Sequence, residues 1–285
     1  MDTENIRSKI WQEFEEKDNP FAAERCYCAG YDVYGEMLGK ASWIEYLYLL
    51  IKGERPTESN KKLLEGLAIS LANPGPRDYS VRGAMSAAVG GSTSASCLIS
   101  AISIGAGGLG GAREVYSAVR SWQYCSDNLD LWRCYLTEER GDLLENEEVW
   151  PRQEHPPGFD PNGNSCSLPV KQTLDYLCEL STGKALHWLR QNRHDLEKIT
   201  EMPLAMSGVA AACFIDLGFD GYQAEIIFLL LRLPGAAAHS LEQRIWGWRH
   251  YPFFSDAMNL QDDPIYKDSK RRVVANNIQE PEHHE

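Results

Sequence analysis

The chain has 285 residues, of which 43% are hydrophobic and 24% charged, with a formal net charge of -13. That is enough apolar material for one large core or two unequal ones, and it excludes an intrinsically disordered chain. The acidic balance offers no basic excess to displace counterions from nucleic acid or to draw the chain onto an anionic membrane, so neither is expected as a partner.

The first clear periodicity runs from Trp43 to Ile51 and closes at Gly53, which predicts a short helix. Pro56-Thr57 then opens a second helix with Leu64, Leu67, Ala68 and Leu71 on one face. From Gly83 to Ala112 no residue is charged, but eight glycines and many serines make the stretch a poor membrane span. Small residues let helices pack backbone to backbone, so it reads as a helix pair buried in a core or a subunit contact. At its end LGGAREVYSAV (residues 109–119) turns tightly into a helix, where glycines allow close backbone approach and free N–H groups can face an anion.

Residues 150–167 form a loop rich in Pro, Gly and Asn, of a length that is usually functional or mobile. Thr173 to Leu189 repeats the helical pattern, and Gly208–Leu217 and Gln223–Leu231 read as two apolar helices joined at Gly218-Phe-Asp-Gly221. Strand signals are nearly absent, periodicity fades after Pro252, and the tail from Lys267 reads as polar and extended. The cysteines at 26, 28, 97, 125, 134, 166, 178 and 213 lack paired metal spacing, and Cys26-x-Cys28 is too short for a zinc knuckle. No metal is therefore expected. With no secretory leader recognised, the thiols read as reduced and the protein as cytoplasmic.

Several of these segments follow one order. YDVYGEMLGKASWIEYLYLLIKGERPT resembles the opening of citrate synthase family proteins, with Leu49, Leu50, Gly53, Pro56 and Thr57 matching a helix that ends Leu-Leu-x-Gly-x-x-Pro-Thr. The run from Asn73 to Ala112 is similar to that family's His-Gly-x-x-x-Ser segment and the stretch ending His-Gly-Gly-Ala. HPPGFDP resembles its Pro-Gly-Phe-Gly-His loop, MPLAMSG its Pro-Leu-Asn-Val-Asp-Gly, and LRLPGAAAHSLEQR its Arg-x-x-Gly-x-x-Ala-His-x-x-Glu signature. The order is collinear over roughly residues 25 to 250, closest in brevity to the short citrate synthase and citryl-CoA lyase-like members.

The resemblance implies an all-α homodimer, with a large helical domain (residues 1–108 and 233–285) and a smaller inserted helical domain (109–232) closing over a cleft. It also implies carbon–carbon bond formation or cleavage between an acyl-CoA thioester and an oxoacid, as an acyltransferase or lyase. In the family, two histidines polarise the carbonyl groups and an aspartate removes the α-proton. No separate cofactor is implied, and CoA would enter as the substrate thioester.

Here those positions differ. Leu109 stands for the first histidine, and Ser207 stands for the aspartate. Asp160 follows Pro157-Gly158-Phe159 where Gly-His is expected, or Asp160-Pro161 is the remnant of Asp-Pro-Arg with Asn162 for arginine. Pro74-Gly75 replaces the earlier His-Gly. Leucine cannot donate a proton, and an unassisted serine is no carboxylate base.

Arg232, His239, Gly110 and Gly111 are retained as candidates for substrate binding, with Arg232 at the position of an oxoacid-binding arginine. Asp160 and His155 are the candidates for recruited acid–base roles. His239 also reads as a packed, hydrogen-bonded helix residue, Arg232 as an interface or helix-end anchor, and His155 as an exposed loop histidine. Arg152 alone, beside Glu154 and Asp160, is a weak cradle for the CoA phosphates. Ordinary citrate synthase activity is expected to be absent. Three functions stay open: acyl-CoA carbon–carbon chemistry with substituted residues, a non-catalytic binding or regulatory homologue, and a divergent enzyme on another small carboxylate. If the cleft is closed, Asp160 or Glu242 is expected to neutralise Arg232; the expectation is the open case, which leaves Arg232 to a ligand carboxylate less polar than oxaloacetate.

Overall fold

The computed structural model describes residues 8–137 and 155–251. The expectations for Arg152, Glu154 and the tail after Pro252 lie outside the described residues. The chain up to Ile245 packs as one compact unit, and a second unit begins at Trp246.

The chain opens on a three-stranded antiparallel sheet that the sequence reading did not foresee: β1 (Gln12–Glu16), β2 (Asn19–Cys28) and β3 (Tyr31–Asp32). A two-residue turn at Lys17-Asp18 leaves Glu16 opposite Asn19. Most of the hairpin is exposed, so no long apolar alternation marks it in the sequence. Only its end enters a core, where buried Cys28 joins Met37 and Leu49.

The next two helices follow their sequence signals closely. α1 (Trp43–Lys52) is capped at its start by Ser42 Oγ and ends on Gly53 in the left-handed region at φ 75°. α2 (Glu58–Leu71) begins at Thr57, whose Oγ1 accepts from Asn60 N–H, and it buries Leu63, Leu64, Leu67 and Leu71.

The uncharged stretch forms α3 (Tyr79–Val89) and α4 (Ser94–Gly105), packed against each other around Val81, Ala84, Ala88, Cys97 and Ala101. A Cβ on Gly83 would lie 2.3 Å from Ile104 Cδ1, so the missing side chain leaves room for Ile104 between the two helices. α4 is buried on that side alone. Away from that contact Ile99 and Ile102 are 61% and 38% exposed.

α5 (Ala112–Cys125) and α6 (Leu129–Thr137) follow, and Trp122, Trp132 and Trp188 meet at ring-centroid distances of 5.1 to 6.0 Å. The expected helical stretch from Thr173 to Leu189 is two helices, α7 (Leu168–Leu180) and α8 (Ala185–Thr200), parted by Ser181-Thr-Gly-Lys184. Asp216 is responsible for the break. Its carboxylate accepts from Ser181 Oγ (2.7 Å), Ala185 N–H (2.8 Å) and Leu186 N–H (3.1 Å), so it caps α8 from another helix. A Cβ on Gly183 would sit 2.2 Å from Asp216 Oδ1.

α9 (Met206–Asp216) is the central helix, buried continuously from Ser207 to Phe214. α10 (Gly221–Trp246) extends well beyond the expected end at Leu231 and runs through Pro234. Proline removes a helix donor, and nearby the Gly235 N–H donates to Ala72 O at 2.7 Å, tying α10 to the end of α2. By length and composition α10 could cross a membrane; it also packs into the core through Ala224, Ile227, Phe228 and Leu231, as core helices do.

Replacing Asp216 by Ala should leave Ala185 and Leu186 N–H without their acceptor and destabilise the protein by roughly 1–3 kcal/mol. Urea unfolding checks this, and an unchanged midpoint would show that the cap is not needed.

Candidate functional site

The turn from Gly105 to Gly111 is glycine-rich for steric reasons. A Cβ on Gly111 would lie 2.3 Å from Gly107 O, and Gly110 takes a left-handed φ of 64°. This geometry aims Gly110 inward. Its N–H donates to Glu114 Oε2 at 2.5 Å and its carbonyl accepts from Arg232 at 2.8 Å. Gly110 therefore serves the protein's own carboxylate and guanidinium, where the sequence reading had Gly110 and Gly111 facing a ligand.

Glu114 is the residue that sequence reasoning missed. It lies in the first turn of α5 and is 1% exposed. Oε1 accepts from Gly158 N–H at 3.0 Å and from Ser207 Oγ at 2.5 Å, and Oε2 faces His155 Nε2 at 3.3 Å besides Gly110 N–H. A carboxylate has about four lone-pair directions, and four partners fill them. One side chain thus fastens three segments: the turn before α5, the loop at His155–Asp160 and the start of α9. A signal for it existed. Glu114 shares the buried face of α5 with Ala118 and Ser121, a position where a charge needs partners.

The loop and α9 also meet by backbone. Phe159 bridges to Leu204, Ala205 N–H donates to Gly158 O at 2.9 Å, and a Cβ on Gly208 would lie 2.5 Å from Gly158 O. His155 is buried, contrary to the exposed histidine expected, because Glu114 holds it inside.

Leu109, Asp160, Ser207 and Arg232 come together on one cleft of about 520 Å³, with Gly110 and Glu114. Leu109 is 44% exposed there and offers only carbon. Asp160 is half-buried and accepts from Asn162 N–H at 2.9 Å. Pro74 is on the same lining, whereas His155 and His239 are not.

Arg232 is 7% exposed and ion-paired. Its partner is Asp78, so Arg232 is not left free for a ligand as expected, and neither Asp160 nor Glu242 neutralises it. Asp78 lies 154 positions away in sequence, out of reach of any local pattern. The other oxygen of Asp78 caps α3 by accepting from Ser80 and Val81 N–H, and the Arg232 guanidinium lies 4.9 Å from the Phe228 ring centroid. Burial pulls the Arg232 pKa below its ordinary value, and Asp78 pushes it back up. Glu242 instead faces His239 Nδ1 at 3.1 Å, and His239 Nε2 faces Asn73 Oδ1 at 3.1 Å. His239 is thus a packed, hydrogen-bonded residue that touches the cleft only through Asn73.

Among the described residues no group of three or more His, Cys, Asp or Glu side chains could hold a metal ion.

With this geometry in hand, solved structures give the fold a context. The chain superposes on citryl-CoA lyase from Hydrogenobacter thermophilus at TM-score 0.68 and 19% identity, covering 92% of this chain and 99% of that one. The fold is citrate synthase-like. ATP citrate lyase from Methanothrix soehngenii, in complex with citrate and coenzyme A, matches at TM-score 0.70 and 17% identity, over 92% of this chain and 42% of that one. Citrate synthase from Thermoplasma acidophilum matches at 0.50 and 13%, over 80% and 60%. No protein-family model matches the chain, and no curated protein matches it significantly. In this chain a small N-terminal sheet precedes an otherwise helical architecture among the described residues.

Changing Glu114 to Gln keeps the shape but turns an acceptor into a donor facing donors. A loss of roughly 2–4 kcal/mol in urea unfolding is expected. Wild-type stability in this variant would show that the four contacts contribute nothing net.

Proposed function

We propose that this citrate synthase-like protein binds a small carboxylate or an acyl-CoA in the cleft between Pro74 and Arg232, and that it does not carry out ordinary citrate synthase turnover. Removing an α-proton from a thioester requires a positioned carboxylate base and donors aimed at the enolate oxygen. The observation that carries the reading is the state of Glu114. It is the carboxylate nearest the serine that stands for the family's aspartate, and its lone pairs are engaged by four partners. Leu109 adds an apolar wall where a donor is needed.

A second reading, carbon–carbon cleavage or formation by substituted residues, is favoured by the match over nearly the whole length of a citryl-CoA lyase. One assay separates the two. Thiol release from acetyl-CoA plus oxaloacetate, and acetyl-CoA formation from citryl-CoA, should both stay at background, since each missing group is worth about 10²–10⁴ in rate. Turnover within about a hundredfold of an ordinary 10 per second would establish the second reading instead.

The same reading includes a homodimer in the cytoplasm. It also includes the division into residues 1–108 plus 233–285 and an inserted 109–232, with cleft residues drawn from both parts. The exposed isoleucines of α4 support the dimer, since an apolar helix side left uncovered marks a contact surface. Sedimentation is expected to give a dimer at micromolar concentration, and Ile99→Asp a folded monomer. A wild-type monomer would remove the dimer from the reading.

A further inference from the structure

Two guanidinium groups line the cleft, and only one of them is uncommitted. Arg232 is buried and shared between Asp78 and the Gly110 carbonyl. A ligand carboxylate reaching it would have to displace Asp78, which would then stand uncompensated in a half-buried place. Arg77, the residue before Asp78, also lines the cleft, is exposed, and makes no hydrogen bond or ion pair among the described residues. Three carboxylates, Asp78, Glu114 and Asp160, line the same space against these two arginines. Arg77 is therefore the one cation of this lining left for a ligand, and a second negative group on that ligand would meet carboxylates in place of a free fork. Leu109, Met206, Phe159 and Val170 give the lining an apolar part, beside neutral polar side chains such as Asn73 and Asn162.

We propose that the cleft's ligand is a monocarboxylate with an apolar body, its carboxylate received by Arg77 while Asp78 acts as a built-in carboxylate on Arg232. This rests on the reading of the cleft as a small-carboxylate or acyl-CoA site. It replaces the expected clamp, Arg232, with its exposed neighbour in space. It also names the ligand class. An oxoacid dianion needs two free forks, and CoA needs several cations for its phosphates; the cleft supplies one.

The test is calorimetry on the full chain with hexanoate and adipate, which share a chain length and differ by one carboxylate, beside butanoate, oxaloacetate, citrate and acetyl-CoA. Hexanoate should bind, more tightly than butanoate by about fourfold per added CH₂, and adipate at least about tenfold more weakly than hexanoate. Arg77→Ala should weaken hexanoate by about tenfold or more. Asp78→Asn keeps a side chain able to cap α3 and frees Arg232, so it should raise adipate affinity relative to hexanoate. If circular dichroism shows that variant unfolded, the hexanoate–adipate comparison and Arg77→Ala decide alone. Tighter binding of adipate, oxaloacetate, citrate or acetyl-CoA than of hexanoate, or indifference to Arg77→Ala, overturns the proposal and leaves the cleft as a ligand site. Failure of every compound to bind at millimolar concentration overturns the proposal and the reading of the cleft together.

Discussion

A single buried carboxylate sets the site. The Glu114 carboxyl group is almost wholly removed from water and surrounded by two backbone N–H groups, a hydroxyl and an imidazole. Burying a carboxylate is tolerable only with such partners, because each supplies part of what hydration supplied outside. The requirement runs in both directions. The partners come from three separate segments, so satisfying Glu114 fixes the turn before α5, the loop at His155–Asp160 and the first turn of α9 in one arrangement. Gly111, Gly158 and Gly208 serve this arrangement sterically, since a Cβ on any of them would fall within 3 Å of backbone.

Arg232 repeats the pattern. Its guanidinium, Asp78 and the Gly110 carbonyl join α10, the start of α3 and the turn before α5. Gly110 is the shared member, donating to Glu114 and accepting from Arg232. Its left-handed backbone is what lets both groups of one residue point inward. The two buried side chains are therefore linked through one peptide. The polar groups that a catalytic cleft would present to its substrate are, in this chain, largely turned toward each other.

The lining that faces solvent is correspondingly plain. Leu109 and Met206 supply carbon, Ser207 spends its hydroxyl on Glu114, and Asp160 is engaged with its own loop. The similarity to citrate synthase-like structures at 13 to 19% identity is a similarity of fold. Helix packing tolerates extensive substitution as long as volume and patterning persist, whereas proton-transfer chemistry tolerates almost none.

What the sequence determined by itself was local. Periodicity and capping chemistry placed α1 and α2, because Ser42, Gly53 and Thr57 act on donors and acceptors a few residues away. The small residues from Gly83 to Ala112 announced a close helix pair, because the contact depends on what is missing at Gly83. The ordered resemblance pointed to the fold and to the cleft positions at Leu109, Asp160, Ser207 and Arg232. Only the tertiary structure decided the partners of buried charge. Asp78 meets Arg232 across 154 positions, Ser207 meets Glu114 across 93, and Asp216 breaks a continuous helical pattern from 31 positions away. Such pairings carry no periodicity, since the desolvation that demands them exists only after the helices have packed.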